Sequence, residues 1–407
     1  MYRSVLALTG PVLPVVSFLG RLPTAMCQLG SLLLVAETSG SLATAGLVGG
    51  ALAAGQMVGG PLLGRATDRR GQRGVVLAAA LANAVAVTAL VLAALAHLPT
   101  PALALLAVLA GATVPQIGPL ARTRTVALAR GAGADERTVG AVLSFEGTLD
   151  EVSFVLGPAL VGLAAAFAHP AVALLGASAL LAVCGSAFAL HPTAARVAPP
   201  RRKGDAVAVR RSRQPAPVHV LRLTMGLQGA MFGASQAGIT ALTERLGRPE
   251  QAGLVYAAMG VMSAVAGLSM AAVPQRITLP ARWRAATLAL VALSVPLLFV
   301  DSLLALYAVV TLLGVAYAPH MITLFGMTER LVEPARLAES MAVLASCIVA
   351  GQALALALAG RLSQDHGPTA GFAVAVVAAV LCSLLARMRT GLPTRAVAAP
   401  SDSVRSA

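Results

Sequence analysis

Charge is scarce in this chain: only 11% of its 407 residues are Asp, Glu, Lys or Arg, against about a quarter in an ordinary soluble domain. That deficit excludes a water-soluble globule of this length. Aromatics are equally rare, at 3%, which removes the rings on which bases stack. The net charge of +14 therefore does not point to nucleic acid. The four cysteines, Cys27, Cys184, Cys347 and Cys382, have no CxxC spacing. They read as small buried hydrophobes, not as a disulfide framework or metal site. HExxH, GxSxG and paired DxxD arrangements are missing, as is a Gly-rich nucleotide loop with Lys. Neither ATP-powered work nor a cofactor is expected. Lys is rare beside Ala, Gly and Arg, a usage that fits a GC-rich bacterial genome.

What the chain has is apolar length. Hydrophobic residues make up 57% of it and mean hydropathy is +0.82. Runs of roughly 20 apolar residues recur, each long enough to cross a bilayer. A helix satisfies its own backbone there, so an all-α, polytopic membrane protein follows. Breaks at charged, Gly and Pro clusters divide it into twelve spans. The first six are expected at 11–36, 42–64, 75–96, 101–121, 138–167 and 170–190. The others are expected at 219–243, 251–273, 285–300, 302–326, 339–360 and 369–387. The organisation expected is a six-helix half over 1–190, a basic linker over 191–218, a second half over 219–390 and a disordered tail over 391–407. The apolar run from Val5 to about Ala36 is too long for a signal-peptide core and reads as a retained helix.

Basic residues orient the spans. With the N-terminus inside, 26 of the 30 Lys and Arg fall in inner segments; three, Arg245, Arg248 and Arg361, fall outside, and Arg21 lies within a helix. By the positive-inside rule both termini are cytoplasmic, in the cell membrane of a bacterium. A duplication is also hinted at: "GLAAAFAHPAVALLGASALLAV" and "LAGRLSQDHGPTAGFAVAVVAAV" share a helix end, a His, a Pro and a second helix in the same order. Two parallel halves about an axis along the membrane normal would produce this.

One short stretch breaks the apolar pattern. "GPLLGRATDRRGQRG" holds four arginines, one aspartate and four glycines between two apolar spans. Its spacing, Gly60-x3-Gly64-x3-Asp68-Arg69-x-Gly71-x-Arg73, resembles the signature of the major facilitator superfamily. With the twelve-span plan and central linker, the resemblance covers nearly the whole chain. It implies a secondary transporter that rocks two six-helix halves about a central solute. It also implies that Asp68 latches the halves on the cytoplasmic side near the start of helix 11, with Arg69 and Arg73 as charge partners or lipid anchors. The glycines allow close helix contact, and a carboxylate is favoured at a helix N-terminus. The matching loop of the second half, "VPQRITLPARWR", carries no acid.

Charges also occur where lipid is expected. A central Arg costs about 2.5–3.5 kcal/mol on insertion scales, so Arg21 should face protein or a water-filled cavity. Gly20 and Pro23 beside it are expected to open helix 1 locally. Helix 5, "SFEGTLDEVSFVLGPALVG", offers partners: Glu146 and Asp150 are four apart and share a face, while Glu151 is about 100° round. An ion pair from Arg21 to Asp150 or Glu151 is expected, with Glu146 nearer the inner mouth. Two roles remain open to it, a structural pin between helices 1 and 5 or a proton- or substrate-coupling site.

The same helix partly resembles the family's antiporter signature, standing here as Ser144-x8-Ser153-x3-Gly157-Pro158-x2-Val161-Gly162. That favours export by antiport. Against it, helix 4 lacks the intramembrane Arg of proton-coupled drug exporters within 101–121; Arg122 and Arg124 come only at its inner end, and Arg21 is left as the equivalent. Gln28, Gln116, Gln228, Gln236, His320 and Gln352 are expected either to line a central cavity or to bridge helices. His320 is expected either to titrate near neutrality or to cap a bend at Pro319, and Pro115 and Pro119 are expected kinks. The partners implied are a small, moderately apolar solute, a proton as coupling ion and the lipid bilayer, with the chain acting as a monomer. An importer of a small metabolite, or a membrane-embedded enzyme acting on lipid-linked substrates, stands as the alternative.

Overall fold

Helices account for all the regular structure in the computed structural model, which describes residues 2–196, 215–248, 251–274 and 276–388; no strand occurs among the described residues. A short helix, Tyr2–Thr9, comes first. It stops at Gly10, whose φ of 68° is left-handed, and Pro11 follows. The apolar run from Val5 is therefore split and not one helix: glycine reverses the backbone and proline cannot donate into the preceding turn.

The spans then follow in order. They are α1 Val12–Ser39, α2 Leu42–Arg70, α3 Gln72–Leu95, α4 in two pieces Thr100–Ala112 and Ile117–Gly131, α5 Glu136–Phe167 and α6 Pro170–Leu190. After them come α7 Ala216–Arg245, α8 Gln251–Ser269, α9 Leu279–Ser294, α10 Leu303–Leu331, α11 Leu337–His366 and α12 Pro368–Arg387. All but α7 are both long and apolar enough to cross a membrane. Helix α7 has the length, at 30 residues, but carries Arg222, Gln228, Gln236, Glu244 and Arg245.

Several ends differ from expectation for identifiable reasons. Helix α9 starts six residues earlier than 285, because Thr278 caps it by accepting from Ala281 N at 3.4 Å, with Pro280 in its first turn. Helix α4 runs past 121 to Gly131 and breaks at 113–116, where Pro115 removes a donor and Gln116 is left-handed at φ 50°. Helix α1, by contrast, passes unbroken through Pro23. It does not open beside Arg21, since Gly20 packs so closely that a Cβ there would stand 2.6 Å from Ile117 Cδ1. Opposite that contact α6 widens into a π turn over Leu181–Gly185. Of the expected linker, Pro192–Arg196 is a 3₁₀ turn and α7 begins at Ala216; the rest of it, and the expected tail, lie outside the described residues.

Apolar cores segregate along the chain. One joins Leu22, Leu34, Val48, Leu90, Leu103 and Leu174; another joins Met231, Leu290, Leu306, Leu313, Tyr317 and Phe372. Within each half small residues let backbones touch. A Cβ on Gly59 would lie 2.2 Å from Ala112 O, and one on Gly351 would lie 1.9 Å from Gly226 O. Contacts that bring helices this near replace the hydrophobic drive that lipid cannot supply. Cys27, Cys184 and Cys382 are buried free thiols; Cys347 is only half-buried, unlike its expected state.

Candidate functional site

Two polar zones connect the halves. The first lies at the face bearing the α2–α3, α4–α5 and α10–α11 turns, hereafter the basic face. Gly64 meets α11 so closely that a Cβ would stand 2.8 Å from Ala338 O. One turn later Asp68 accepts from Ala338 N at 3.1 Å and Glu339 N at 2.8 Å, the free amides that open α11. A carboxylate there satisfies orphan donors and meets the positive end of the helix dipole. Arg69 and Arg73 are exposed and form no ion pair with Asp68. The charged side chains within electrostatic range of it are Glu339 and Arg336, which pair with each other at 3.5 Å. Gly71 supplies the turn, at φ 81°. Gly60 sits one turn deeper, against Ser346 of α11 and Gln116 at the break of α4.

Beside this latch, Arg130 at the end of α4 binds Glu136 of α5 at 2.6 Å and Glu329 of α10 at 3.1 Å. Arg330 of α10 returns to Glu136 at 2.7 Å. Sequence alone does not show this quartet, because its members flank two separate turns, α4–α5 and α10–α11. Each pair is half-exposed and worth about 0–1 kcal/mol.

The second zone lies inside the bundle. Arg21, 5% exposed, pairs with the Glu146 carboxylate, donates to Glu146 O at 3.0 Å and reaches Asp150 Oδ1 at 3.3 Å. Glu146 also accepts from Thr125 Oγ1 at 2.9 Å. The other oxygen of Asp150 pairs with Arg122, whose guanidinium lies 3.8 Å from the Phe325 ring centroid on α10. Asp150 thus stands between two buried cations, and one of them rests on the opposite half.

Two expectations change here. Glu146 is the main partner of Arg21, not an acid at the mouth, and Glu151 lies outside the pair: on α5, 146 and 150 share the stripe facing α1, while 151 turns away. Helix α4 does contribute intramembrane cations. Arg122 and Arg124 are 1% and 0% exposed, because the helix continues two turns beyond them. Arg124 stacks on Phe188 at 3.8 Å and donates to Phe188 O at 2.7 Å and Gln72 Oε1 at 2.9 Å.

The remaining candidates divide. Ser144 donates to Gly267 O on α8, and Gly157 packs against Ala25 of α1, where a Cβ would stand 2.6 Å from Ala25 Cβ. Ser153 bonds only within its helix, to Leu149 O at 2.7 Å; Pro158 lies inside α5 and Gly162 meets open space. Gln228 bridges helices: it donates to Tyr317 O at 3.0 Å, and its Oε1 meets His320 Nδ1 at 2.6 Å. His320 is fully buried against that amide and caps no bend, since α10 runs through Pro319. Gln116 is buried with Nε2 unpartnered, while Gln28, Gln236 and Gln352 are half-buried.

No curated protein sequence matches the chain significantly. Among solved structures it resembles the human organic anion transporter MFSD10 (TETRAN), with a TM-score of 0.73 at 18% identity over 94% of this chain and 99% of that one. A bacterial homologue of the iron transporter ferroportin, in its outward-facing state, gives 0.70 at 13% over 92% and 97%. The E. coli fucose:proton symporter gives 0.63 at 13% over 92% and 97%. At these identities the likeness is one of fold. The family model described as Major Facilitator Superfamily matches residues 8–277 and 221–405. With twelve helical spans in two halves and a multi-pass membrane course, the chain belongs to the major facilitator superfamily of membrane transporters.

Proposed function

We propose that the chain is a proton-coupled exporter of a small organic solute, working by alternating access, with Asp150 as the proton site. The observation carrying this reading is the position of Asp150. Its side chain is 15% exposed, it is shared by Arg21 and Arg122, and Arg122 is stacked on Phe325 of the other half. An ionised Asp150 holds Arg122 in place. A proton on that carboxylate removes the charge Arg122 answers, and the seam between α5 and α10 loses its anchor. The Asp68 latch and the Arg130 quartet join the same two halves at the basic face, so all three must part for that face to open. The excess of Lys and Arg there supports a cytoplasmic orientation, with the opposite face admitting the proton. The proton then leaves on the cytoplasmic side as solute enters the vacated cleft.

The partial antiporter pattern of α5 supports export. Gly157 gives a close α1–α5 contact that keeps Arg21 against Glu146, and Ser144 ties α5 to α8. A chain of this kind needs no metal or organic cofactor for such work.

The test is Asp150→Asn in proteoliposomes, with solutes chosen by accumulation and resistance profiling of a deletion strain. Gradient-driven transport should disappear while solute–solute exchange persists. Unchanged gradient-driven transport would reduce the network to a pin between helices. Cysteines introduced beside Arg69 and Arg245 should label from opposite sides.

A further inference from the structure

The break in α4 lies against the buried ion network. Pro115 and the left-handed Gln116 close the first piece, and the second opens with Leu120 N donating to Gln116 O at 3.1 Å. Gly118 therefore stands in a helical first turn, buried, with Pro119 after it. Asp150 fills the space its side chain would take. A Cβ on Gly118 would lie 2.6 Å from Asp150 Oδ1 and 3.3 Å from both Cγ and Oδ2.

A contact that short obliges something to move, and most of the surroundings are held. The α4 backbone is stiffened by prolines at 115 and 119, and the neighbouring Ile117 is wedged against α1, 2.6 Å from where a Cβ of Gly20 would be. Arg21 is kept by the Glu146 carboxylate and by Glu146 O at 3.0 Å. Arg122 lies under the Phe325 ring at 3.8 Å, and its Nη2 is 4.0 Å from where a Cβ of Gly147 would be. The carboxylate of Asp150 is thus the group that yields, and neither arginine can follow it. The charges that face it are Arg21 of α1 and Arg122 of α4, with Glu146 one turn back and Glu151 adjacent on α5. No other helix packed on α5 brings an ion pair to Asp150 among the described residues. The opening of the second α4 piece adds its positive end.

We infer that Gly118 is the positioning residue of the proton site: the lack of a side chain there makes the seat in which the Asp150 carboxylate reaches Arg21 and Arg122 together. The break in α4 serves the same end, because it delivers a helix opening, and not a helix flank with side chains, to that carboxylate. The inference rests on the reading of Asp150 as the proton site and adds a residue that acts on it without touching proton or solute.

The test is an infrared pH titration of the full chain in maltoside detergent. The carboxyl C=O band of Asp150 is the one lost in Asp150→Asn. Gly118→Ala should move its midpoint upward by about one pH unit or more, since a displaced carboxylate gives up the cations that favour its ionised form. A glycine needed only for packing would lower stability without moving that midpoint. Gly176→Ala, where a Cβ meets open space on α6, should leave it in place. If Gly118→Ala does not give a monodisperse protein, it is combined with Asp150→Ala, which empties the seat. Recovery of folding in that double variant supports the inference, and a double variant no better than Gly118→Ala overturns it. An unmoved midpoint, or no titrating band in either protein, also overturns it, even where Asp150→Asn abolishes gradient-driven transport. A moved midpoint with gradient-driven transport intact in Asp150→Asn would keep the seat and remove the transport reading.

Discussion

The α1–α4–α5 side of the molecule buries ions, and the α7–α10 side buries neutral dipoles. On the first, Arg21 and Arg122 are answered by Glu146 and Asp150. On the second, Gln228 spans Tyr317 O and His320 with no formal charge in the set. Both arrangements satisfy polar groups away from water, but they respond differently to loss of a partner. An ion stripped of its partner keeps a charge it cannot hydrate; an amide stripped of its partner leaves only an unmade hydrogen bond. Of these two sets, only the first holds carboxylates on which a proton can change the internal charge.

This contrast can be broken by mutation. The largest expected effect is Arg21→Met, which leaves Glu146 buried with Thr125 as its remaining side-chain donor. It should cost about 3–5 kcal/mol, read as loss of thermal stability in detergent. Pairing it with Glu146→Leu should recover most of that loss, because removing both ions removes the uncompensated charge. A double variant no better than Arg21→Met would show that the pair itself, not its imbalance, holds α1 to α5.

On the neutral side, Gln228→Leu should cost about 1 kcal/mol, the usual scale for an interhelical polar contact in lipid. A loss as large as that of Arg21→Met would erase the distinction between the two sides. The smallest effect belongs to ions that remain wet. Arg130→Ala removes two pairs at the basic face and should cost at most about 1 kcal/mol, shrinking further as salt is raised. A salt-insensitive loss would show that the quartet is shielded from water.

The contrast was partly legible in the chain itself. Arg21 lies within a span too long to begin after it, so its burial followed from length alone. Its acids were sought on α5 correctly, but the choice among them required helical phase. Glu146 and Asp150 recur at one turn and Glu151 does not, and it is this phase that keeps Glu151 out of the Arg21 pair. Arg122 and Arg124 were assigned to a loop because the apolar run fades at Ala121. The helix continues to Gly131, with Thr123, Thr125 and Val126 buried as well, and the lack of Gly or Pro between Pro119 and Gly131 was the signal available. The Asp68 site was marked by its glycine spacing. That its partners are the amides of Ala338 and Glu339, and not Arg69 or Arg73, was hidden because backbone donors leave no trace in a sequence.

Apolar length and the bias of Lys and Arg among the turns were enough to determine a helical membrane protein of a dozen spans, because continuous apolar runs of about 20 residues fit a helix across lipid and are twice what a barrel strand needs. Tertiary structure alone decided which acid answers which arginine, and which carboxylate is left out of the pairs. Those outcomes depend on the rotation of one helix against another. Close packing at positions such as Gly20, Gly64 and Gly267 sets that rotation, and the contacts involved join residues far apart along the chain.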